Sequence, residues 1–516
     1  MNVLNKLIEN FAKLNKNMWP EMKNCEQKIL VGGFLNIPCY LVGAATIARA
    51  INDVKNYEPI VIVSNNLTKN NEVKKIFNSY GIKNYIDIKS HRFNIFIILK
   101  AVIATLNVCI GFSNLDMLIN YKLNDIKIGD LIYDTYIRQN NRYFRAKLLS
   151  LSFFKEIAIS HFKFYLYDYF IKKYDFRYII LSHRVFVNGG MLARIGIKYG
   201  SRIIISGITG VRCYYDYDEI FTNRLKPSKE IVTFIINKQL YKKTDELLKE
   251  RFAGNVEQHD VIDAYKNKKI YSPEELYKKL RLNPSYSTVF IIPHAFSDAP
   301  HSNENMLFRD YYQWFIETIK YINNIRNINW IVKPHPSSYM YNETGEVEQI
   351  IKELKLDNIH LAPSDLSTTS VFNISKTVVT VSGTVGTEAA CLGIKPIIAG
   401  KALYSDFGIA YEPKNKSEYF SILKNINSIS SLNEKETIIA KAIFYWRYVG
   451  AFPNSTIVPK NSVVPSTDPK IIDKQKIEGY KNIIENLKNN NPKNDPYYIH
   501  LKKMIKEDKK FLTTIL

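Results

Sequence analysis

Residues 378–400 read VVTVSGTVGTEAACLGIKPIIAG. The apolar, β-branched run Val378–Val381 stops at small residues, Ser382-Gly383-Thr384-Val385-Gly386-Thr387. A helical pattern follows over Thr384–Leu392, and a second apolar run covers Lys395–Ile398. This spacing predicts strand, tight loop, helix, strand. The first run is continuous and does not alternate, so the strand is expected to be buried on both faces, as in a parallel sheet.

Upstream, Thr288–Ile292, Asn329–Val332 and Ile359–Leu361 read as strands, with helical patterns over 308–325 and 346–354 between them. The N-terminal part repeats the alternation. Lys28–Val31 (KILV) leads into the Gly32-Gly33 turn, the helical run Tyr40–Ile51 and the strand Pro59–Val63. A helix over Val73–Tyr80 and a strand over Tyr85–Ile88 come next. Tyr178–Ser182 and Arg202–Ser206 flank a helix that ends at Gly200, a favoured helix C-cap residue. Alternation of this kind predicts α/β architecture, with two doubly wound Rossmann-like halves facing a cleft and ligands at the carboxyl ends of the strands. The expected division is 1–215, a helical connector over 216–283, a second α/β half over 284–440, and crossover helices with a basic tail over 441–516.

The chain has 516 residues, 46% hydrophobic and 23% charged, which suits a globular protein with sizeable cores and excludes disorder as the main state. Gly and Pro number only 21 and 19, against a collagen-like or low-complexity reading. The net charge of +22 favours an anionic neighbour: nucleic acid, a membrane face or a phosphorylated substrate. The lysines are spread along the chain and no nucleic-acid motif accompanies them, so nucleic acid is not expected as a partner. Cys25, Cys39, Cys109, Cys213 and Cys391 are odd in number and far apart, which argues against a disulfide framework and for a reducing compartment. The apolar stretch 93–112 is as long as a spanning helix, but it carries Lys100 and Asn107 near its middle. It reads better as a buried or interface-lying helix.

Four stretches carry candidate chemistry. At the start of the helix near Thr384, unpaired N–H groups and a partial positive charge suit a phosphate. There Gly383 and Gly386 would let the backbone approach closely, Ser382, Thr384 and Thr387 would add hydroxyl donors, and Glu388 would accept from a ribose. The alternative is an ordinary capped helix. The second stretch is Ile331–Ser338, IVKPHPSS. Pro334 and Pro336 stiffen the backbone around His335, and Lys333, Ser337 and Ser338 add charge and donors; a structural His near a strand end is the alternative. The third is the loop Pro293–His301, with His294, Asp298 and His301. It is expected to line the cleft, and a metal site there lacks further ligands. The fourth is Ile128–Arg138, which places Asp130, Asp134 and Arg138 four residues apart on one helix face. That face is either a surface ion pair or an acceptor-side base held by Arg138. His183, at a strand end in Ser182-His183-Arg184, is a second candidate base. The Walker P-loop, Rossmann G-x-G-x-x-G, H-E-x-x-H and G-x-S-x-G patterns are absent from the sequence.

The combination of IKIGDLIYDTYIR at 126–138, SHRVFVNGG at 182–190, KPHPSS at 333–338 and VSGTVGTEA at 381–389 resembles bacterial capsule and surface-polysaccharide biosynthesis proteins. These are glycosyltransferases of GT-B type related to the capsular Kdo transferases and, more distantly, to bacterial sialyltransferases. The resemblance covers about 28–450 and is clearest over 288–411. It implies a GT-B-like fold with an acceptor-side first half and a nucleotide-sugar-binding second half. It also implies that His335, Ser382 and Thr384 hold the donor phosphate, that Glu388 lies near the ribose, and that an acidic residue of the first half is the base. The acidic pair usually seen before the donor site in sialyltransferases is not evident, which argues against a sialic acid donor.

The expected activity is transfer of a sugar, Kdo or a related acidic sugar, from a nucleotide donor (CMP-linked favoured) to a capsule or lipopolysaccharide glycan. Asp134, Asp130, His183 and His335 are the catalytic candidates, with no metal and no cofactor. The expected partners are the nucleotide sugar and a lipid-linked or glycan acceptor. The expected place of work is cytoplasmic, peripheral at the inner face of the inner membrane. The alternatives are a CDP-glycerol-type polyol-phosphate transferase and a non-catalytic capsule assembly or export factor.

Overall fold

A computed structural model describes residues 3–22, 25–63, 71–140, 150–207, 210–223, 225–255, 263–302, 305–451, 454–459 and 469–515. The chain forms two compact units. One comprises 1–136, 145–221 and 449–516, and the other 137–144 and 222–448.

In the first unit, β1 (Lys28–Gly32), β2 (Glu58–Val63) and β3 (Asn84–Asp87) are followed by a short hairpin, β4 (Lys122–Leu123) and β5 (Ile126–Lys127). Then come β6 (Tyr178–Leu181), β7 (Arg202–Gly207) and β8 (Gly210–Tyr214). The main sheet runs β3-β2-β1-β6-β7-β8. It is parallel except that β8 pairs antiparallel with β7. The interiors of β1, β2 and β6 are wholly buried, which is why they read as unbroken apolar runs. The antiparallel β8 was not anticipated. Its burial matches that of its parallel neighbours, so pattern alone could not give its direction.

Residues 449–516 belong to this unit, and the expected basic tail is instead packed helix. Pro469–Asn489 and Pro496–Lys506 place Tyr480, Ile483, Ile484, Leu487, Tyr498, Leu501, Met504 and Ile505 in the same core as β1 and β2. Lys476 forms a largely buried pair with Glu72, and beyond the second helix Lys510 pairs with Glu219. Helix Ile95–Gly111 packs on helix Leu151–Tyr174. Thr105 bonds to His161 and His91 stacks edge-on against Phe170, so the two run antiparallel.

The second unit holds β9 (Ser287–Ile291), β10 (Ile328–Val332), β11 (Ile359–Leu361), β12 (Ser375–Thr380) and β13 (Ile397–Ile398). All are parallel, in the order β11-β10-β9-β12-β13. The order reverses between β9 and β12, so the crevice at their carboxyl ends is the topological switch point of this sheet. The segment expected as a connector is part of this unit from residue 222 onward. Thr244 Oγ1 donates to the Lys441 carbonyl, and Trp446 Nε1 donates to that of Leu225. These bonds fasten helix Thr244–Phe252 and the segment before it to helix Glu434–Tyr445.

Among the described residues, no helix is long and apolar enough to cross a membrane.

Candidate functional site

Three strands of the second unit release their chains at one edge, and the released loops enclose a cavity of about 240 Å³. After β9 comes His294, after β10 Lys333 and His335, and after β12 Ser382, Gly383 and Thr384; all six line the cavity, with Asp298 and Glu388. Ser337, Ser338, Gly386 and Thr387, read from the sequence as donor-binding, do not line it. Ser337 is fully buried, with its hydroxyl 3.3 Å from Asp263 Oδ2, which Tyr339 also approaches at 3.1 Å.

Two hydrogen bonds set the imidazole tautomers. The Ser337 N–H donates to His335 Nδ1 at 3.2 Å, so the neutral ring carries its proton on Nε2. Burial, with the Lys333 charge beside it, holds His335 down to about 4, so it is neutral at ordinary pH. The Ser382 N–H donates to His294 Nε2 at 3.2 Å, which leaves the proton of that ring on Nδ1. Burial and the nearby His335 push His294 down to about 3. Its ring stacks on Tyr311 at 4.4 Å between centroids. His301, the other histidine of that loop, is taken up by the Arg309 carbonyl at 2.7 Å. Among the described residues, no group of three or more His, Cys, Asp or Glu side chains is placed to hold a metal ion.

Lys333 is only 7% exposed. Among the described residues its ammonium has neither a hydrogen bond nor an ion pair with a carboxylate. Burial, with Lys268 next, pushes it down to about 8, and Glu388 acts against that shift. A buried ammonium without a counter-ion is costly unless an anion arrives. The N–H groups of Gly383, Thr384 and Val385 likewise donate to no acceptor among the described residues. The cavity thus presents one cation, the His335 Nε2–H and three backbone donors, a set that fits a phosphate group.

Two expectations for this loop are corrected. The helix after it is only Val385–Cys391, and Thr384 makes no side-chain cap. Its glycines answer to the protein's own packing. A Cβ on Gly386 would lie 1.9 Å from Tyr404 Oη, and one on Gly383 would lie 2.9 Å from Thr380 Oγ1. The Tyr404 hydroxyl donates to the Gly383 carbonyl at 3.0 Å and locks the turn.

Glu388 does face the cavity, but its oxygens are taken. Oε1 accepts from Arg251 at 2.7 and 2.8 Å, and Oε2 accepts from Tyr265 at 2.5 Å. Arg251 also reaches Tyr448 at 3.2 Å. Its role is to anchor the cavity wall, not to stand ready for a ribose. Arg251 and Tyr265 were missed by the sequence reading, and nothing local marks them. Glu343 was missed as well. It is 4% exposed and accepts from Phe296 N, Ser297 N and Ser297 Oγ at 2.6, 2.9 and 2.7 Å, which fixes the loop that carries His294. Burial pushes its carboxyl up to about 7.

In the first unit, the two motifs at 126–138 and 182–190 form one cluster. Thr135 Oγ1 accepts from the Val187 N–H at 2.9 Å, and a Cβ on Gly190 would lie 2.4 Å from Leu131. Asp130 is 1% exposed and locked to Arg194, with Oδ1 at 2.6 Å and Oδ2 at 2.7 Å. Its partner is therefore not on its own helix, and both oxygens already carry a guanidinium. Asp134 is 2% exposed in the same helix, Gly129–Asn140. His183 follows β6. Its Nδ1 donates to the Val185 carbonyl at 3.1 Å, so in the neutral ring Nε2 is the acceptor nitrogen. Gly189 permits the chain to fold back over this ring, since a Cβ there would lie 2.3 Å from the His183 carbonyl oxygen. Lys163, from helix Leu151–Tyr174, reaches Asn188 in the same turn at 2.9 Å.

Two doubly wound sheets, one with an anion-suited crevice at its switch point, define the class: an α/β protein with two Rossmann-like units. Residues 314–448, which include His335, the 382–387 turn and Glu388, match the family described as capsule polysaccharide biosynthesis protein. No curated protein matches the chain. Among solved structures it is similar to Thermosulfurimonas dismutans KpsC, a beta Kdo 2,4 transferase, at 11% identity and TM-score 0.33, over 52% of this chain and 79% of that one. It is also similar to a glycosyltransferase from Rickettsia africae, at 12% identity and TM-score 0.25, over 90% and 99%. A third similarity is to S. aureus MnaA with UDP, at 11% identity and TM-score 0.26, over 81% and 91%. At these scores the similarities carry no functional argument.

Proposed function

We propose that the protein is a glycosyltransferase that moves a sugar from a nucleotide donor onto a growing capsule or lipopolysaccharide glycan. The observation that carries this reading is Lys333: a buried ammonium with no carboxylate partner among the described residues, lining a cavity beside the Nε2–H of a neutral His335. The match of residues 314–448 to capsule polysaccharide biosynthesis proteins supports the choice of glycan.

In the proposed reaction an acceptor hydroxyl bonds to the anomeric carbon as the bond from that carbon to the phosphate oxygen breaks. The electron pair leaves with the nucleotide phosphate, where Lys333, His335 and the N–H groups of 383–385 meet the charge. The hydroxyl proton passes to a base. We assign donor binding to the second unit and the acceptor to the first, with His183 Nε2 and Asp134 as the base candidates. Asp130 is set aside because Arg194 holds both its oxygens. One ammonium balances a single phosphodiester charge, which favours a CMP-linked donor, with Kdo or a related acidic sugar as cargo. The scheme uses no metal and no cofactor. Its place is the cytoplasmic face of the inner membrane, with a lipid-linked or glycan acceptor.

The test is incubation of the full chain with CMP-, UDP-, GDP- and CDP-linked donors and a capsule glycan acceptor, followed by mass analysis. A product heavier by one sugar is expected. A gain of phosphate-polyol, or nucleotide binding without turnover, overturns the reading.

A further inference from the structure

Helix Ile95–Gly111 of the first unit is apolar on both faces, and only one of them is covered. Ile97, Ala101, Ala104, Thr105 and Val108 are buried, on the side bonded to helix Leu151–Tyr174. Opposite, Phe96, Leu99, Ile103, Leu106 and Ile110 are exposed by 80, 54, 59, 46 and 83%. Their spacing of three and four residues makes one stripe along the helix. Phe93, Ile95 and Val102 extend it. On the neighbouring helix, at the end that lies beside Ile110, Leu151 and Phe154 are exposed as well. Five neighbouring apolar side chains, each about half exposed or more, make a contiguous patch and not the scattered single exposures usual on a monomer.

The charges beside the stripe choose its occupant. From Ile88 to Asn114 the sequence holds Lys89, Arg92 and Lys100 and no Asp or Glu. Lys155, on the neighbouring helix, is exposed, whereas Glu156 next to it is 8% exposed and bonded to Ser160. A second copy laid stripe to stripe would bring the like charges of Arg92, Lys100 and Lys155 together. An anionic bilayer surface takes both features, with acyl chains against the stripe and headgroups against the lysines and Arg92. At 17 residues, and with Lys100 in its exposed half, the helix is built to lie in the interface and not to cross it.

We propose that helix Ile95–Gly111 is an in-plane membrane anchor that seats the first unit on an anionic lipid surface through Phe96, Leu99, Ile103, Leu106 and Ile110, with Arg92 and Lys100 on the headgroups. This deepens the membrane placement of the proposed function, on which it rests, and is independent of the transfer chemistry.

The experiment is co-sedimentation of the full chain with vesicles of phosphatidylcholine mixed with phosphatidylglycerol, against phosphatidylcholine alone. The wild type is expected to bind the mixed vesicles. The pair Phe96→Asp, Ile103→Asp should lower the partition constant roughly ten-fold or more. Because both positions are exposed, its thermal unfolding should stay unchanged. Lys100→Glu should weaken binding only to the mixed vesicles, as should added salt. Wild-type-like binding by the double variant, or no vesicle binding by the wild type, overturns the proposal. A concentration-dependent dimer that the double variant abolishes would also overturn it and assign the stripe to a second copy.

Discussion

The backbone N–H of Ser382 donates to His294 Nε2 at 3.2 Å, which ties the loop after β12 to the loop after β9 across 88 residues of chain. Burial keeps both imidazoles of the crevice neutral, and the N–H groups of Ser382 and Ser337 assign their protons, for His294 and His335 respectively. Neither is left to act as a mobile acid. The positive charge of the cavity rests on Lys333.

Lys333→Met should separate stability from function. It removes a buried ammonium that has no carboxylate ion pair among the described residues, so the ligand-free protein should gain about 1–3 kcal/mol. The same change should abolish the thermal shift produced by donor. Differential scanning calorimetry with and without nucleotide sugar measures both. A variant less stable than wild type would mean that Lys333 has a partner in the free protein.

The pH dependence follows from the same group. Lys333 titrates near 8 in the folded protein, below the ordinary 10.5 of the unfolded chain. Between those values the unfolded chain holds more protons, so stability of the free protein should rise with pH from about 8 to 10.5 as the burial penalty is relieved. Donor affinity should run the other way, full below about 8 and falling above it. Isothermal titration across that range shows the trend, and Lys333→Met should flatten it.

His335→Ala removes the Nε2–H donor at the leaving phosphate. Turnover should fall about 10²–10³-fold, with the unfolding temperature little changed. Steady-state kinetics beside a melting curve separates this from misfolding. Unchanged turnover would take His335 out of the reaction.

Glu388→Ala should act on stability first. It leaves Arg251 buried at 6% exposure without its carboxylate, a loss of about 3–5 kcal/mol. Arg251→Ala should cost a similar amount, and the double variant less than the two together. Additive losses, read from denaturant unfolding, would mean that the pair is not a unit.

Gly386→Ala places a methyl group within 1.9 Å of Tyr404 Oη, so the turn must shift. Weakened donor binding and lower stability are expected, with partial recovery in Gly386→Ala, Tyr404→Phe. No recovery would mean that the ring, and not the hydroxyl, sets the constraint.

Much of the fold was legible in the sequence. The strands at 28–31, 59–63, 178–182, 288–292 and 329–332 could be read because burial on both faces writes an unbroken apolar run. The crevice was legible in part. His294, Lys333, His335 and Ser382 stand at the ends of such runs, where a parallel sheet presents its ligands. Ser337 and Gly386 were misread because a serine or a glycine in a loop looks the same whether it meets a ligand or the protein itself. Only Asp263 and Tyr404 settle the difference.

By itself, then, the sequence determined two α/β units and which loops open at the strand ends, since both follow from local periodicity and burial. The tertiary structure alone decided what those loops do. Arg251 meets Glu388 from 137 residues away, and Arg194 meets Asp130 from 64. Contacts between distant segments leave no pattern in either one, because each partner satisfies its local rules equally well without the other.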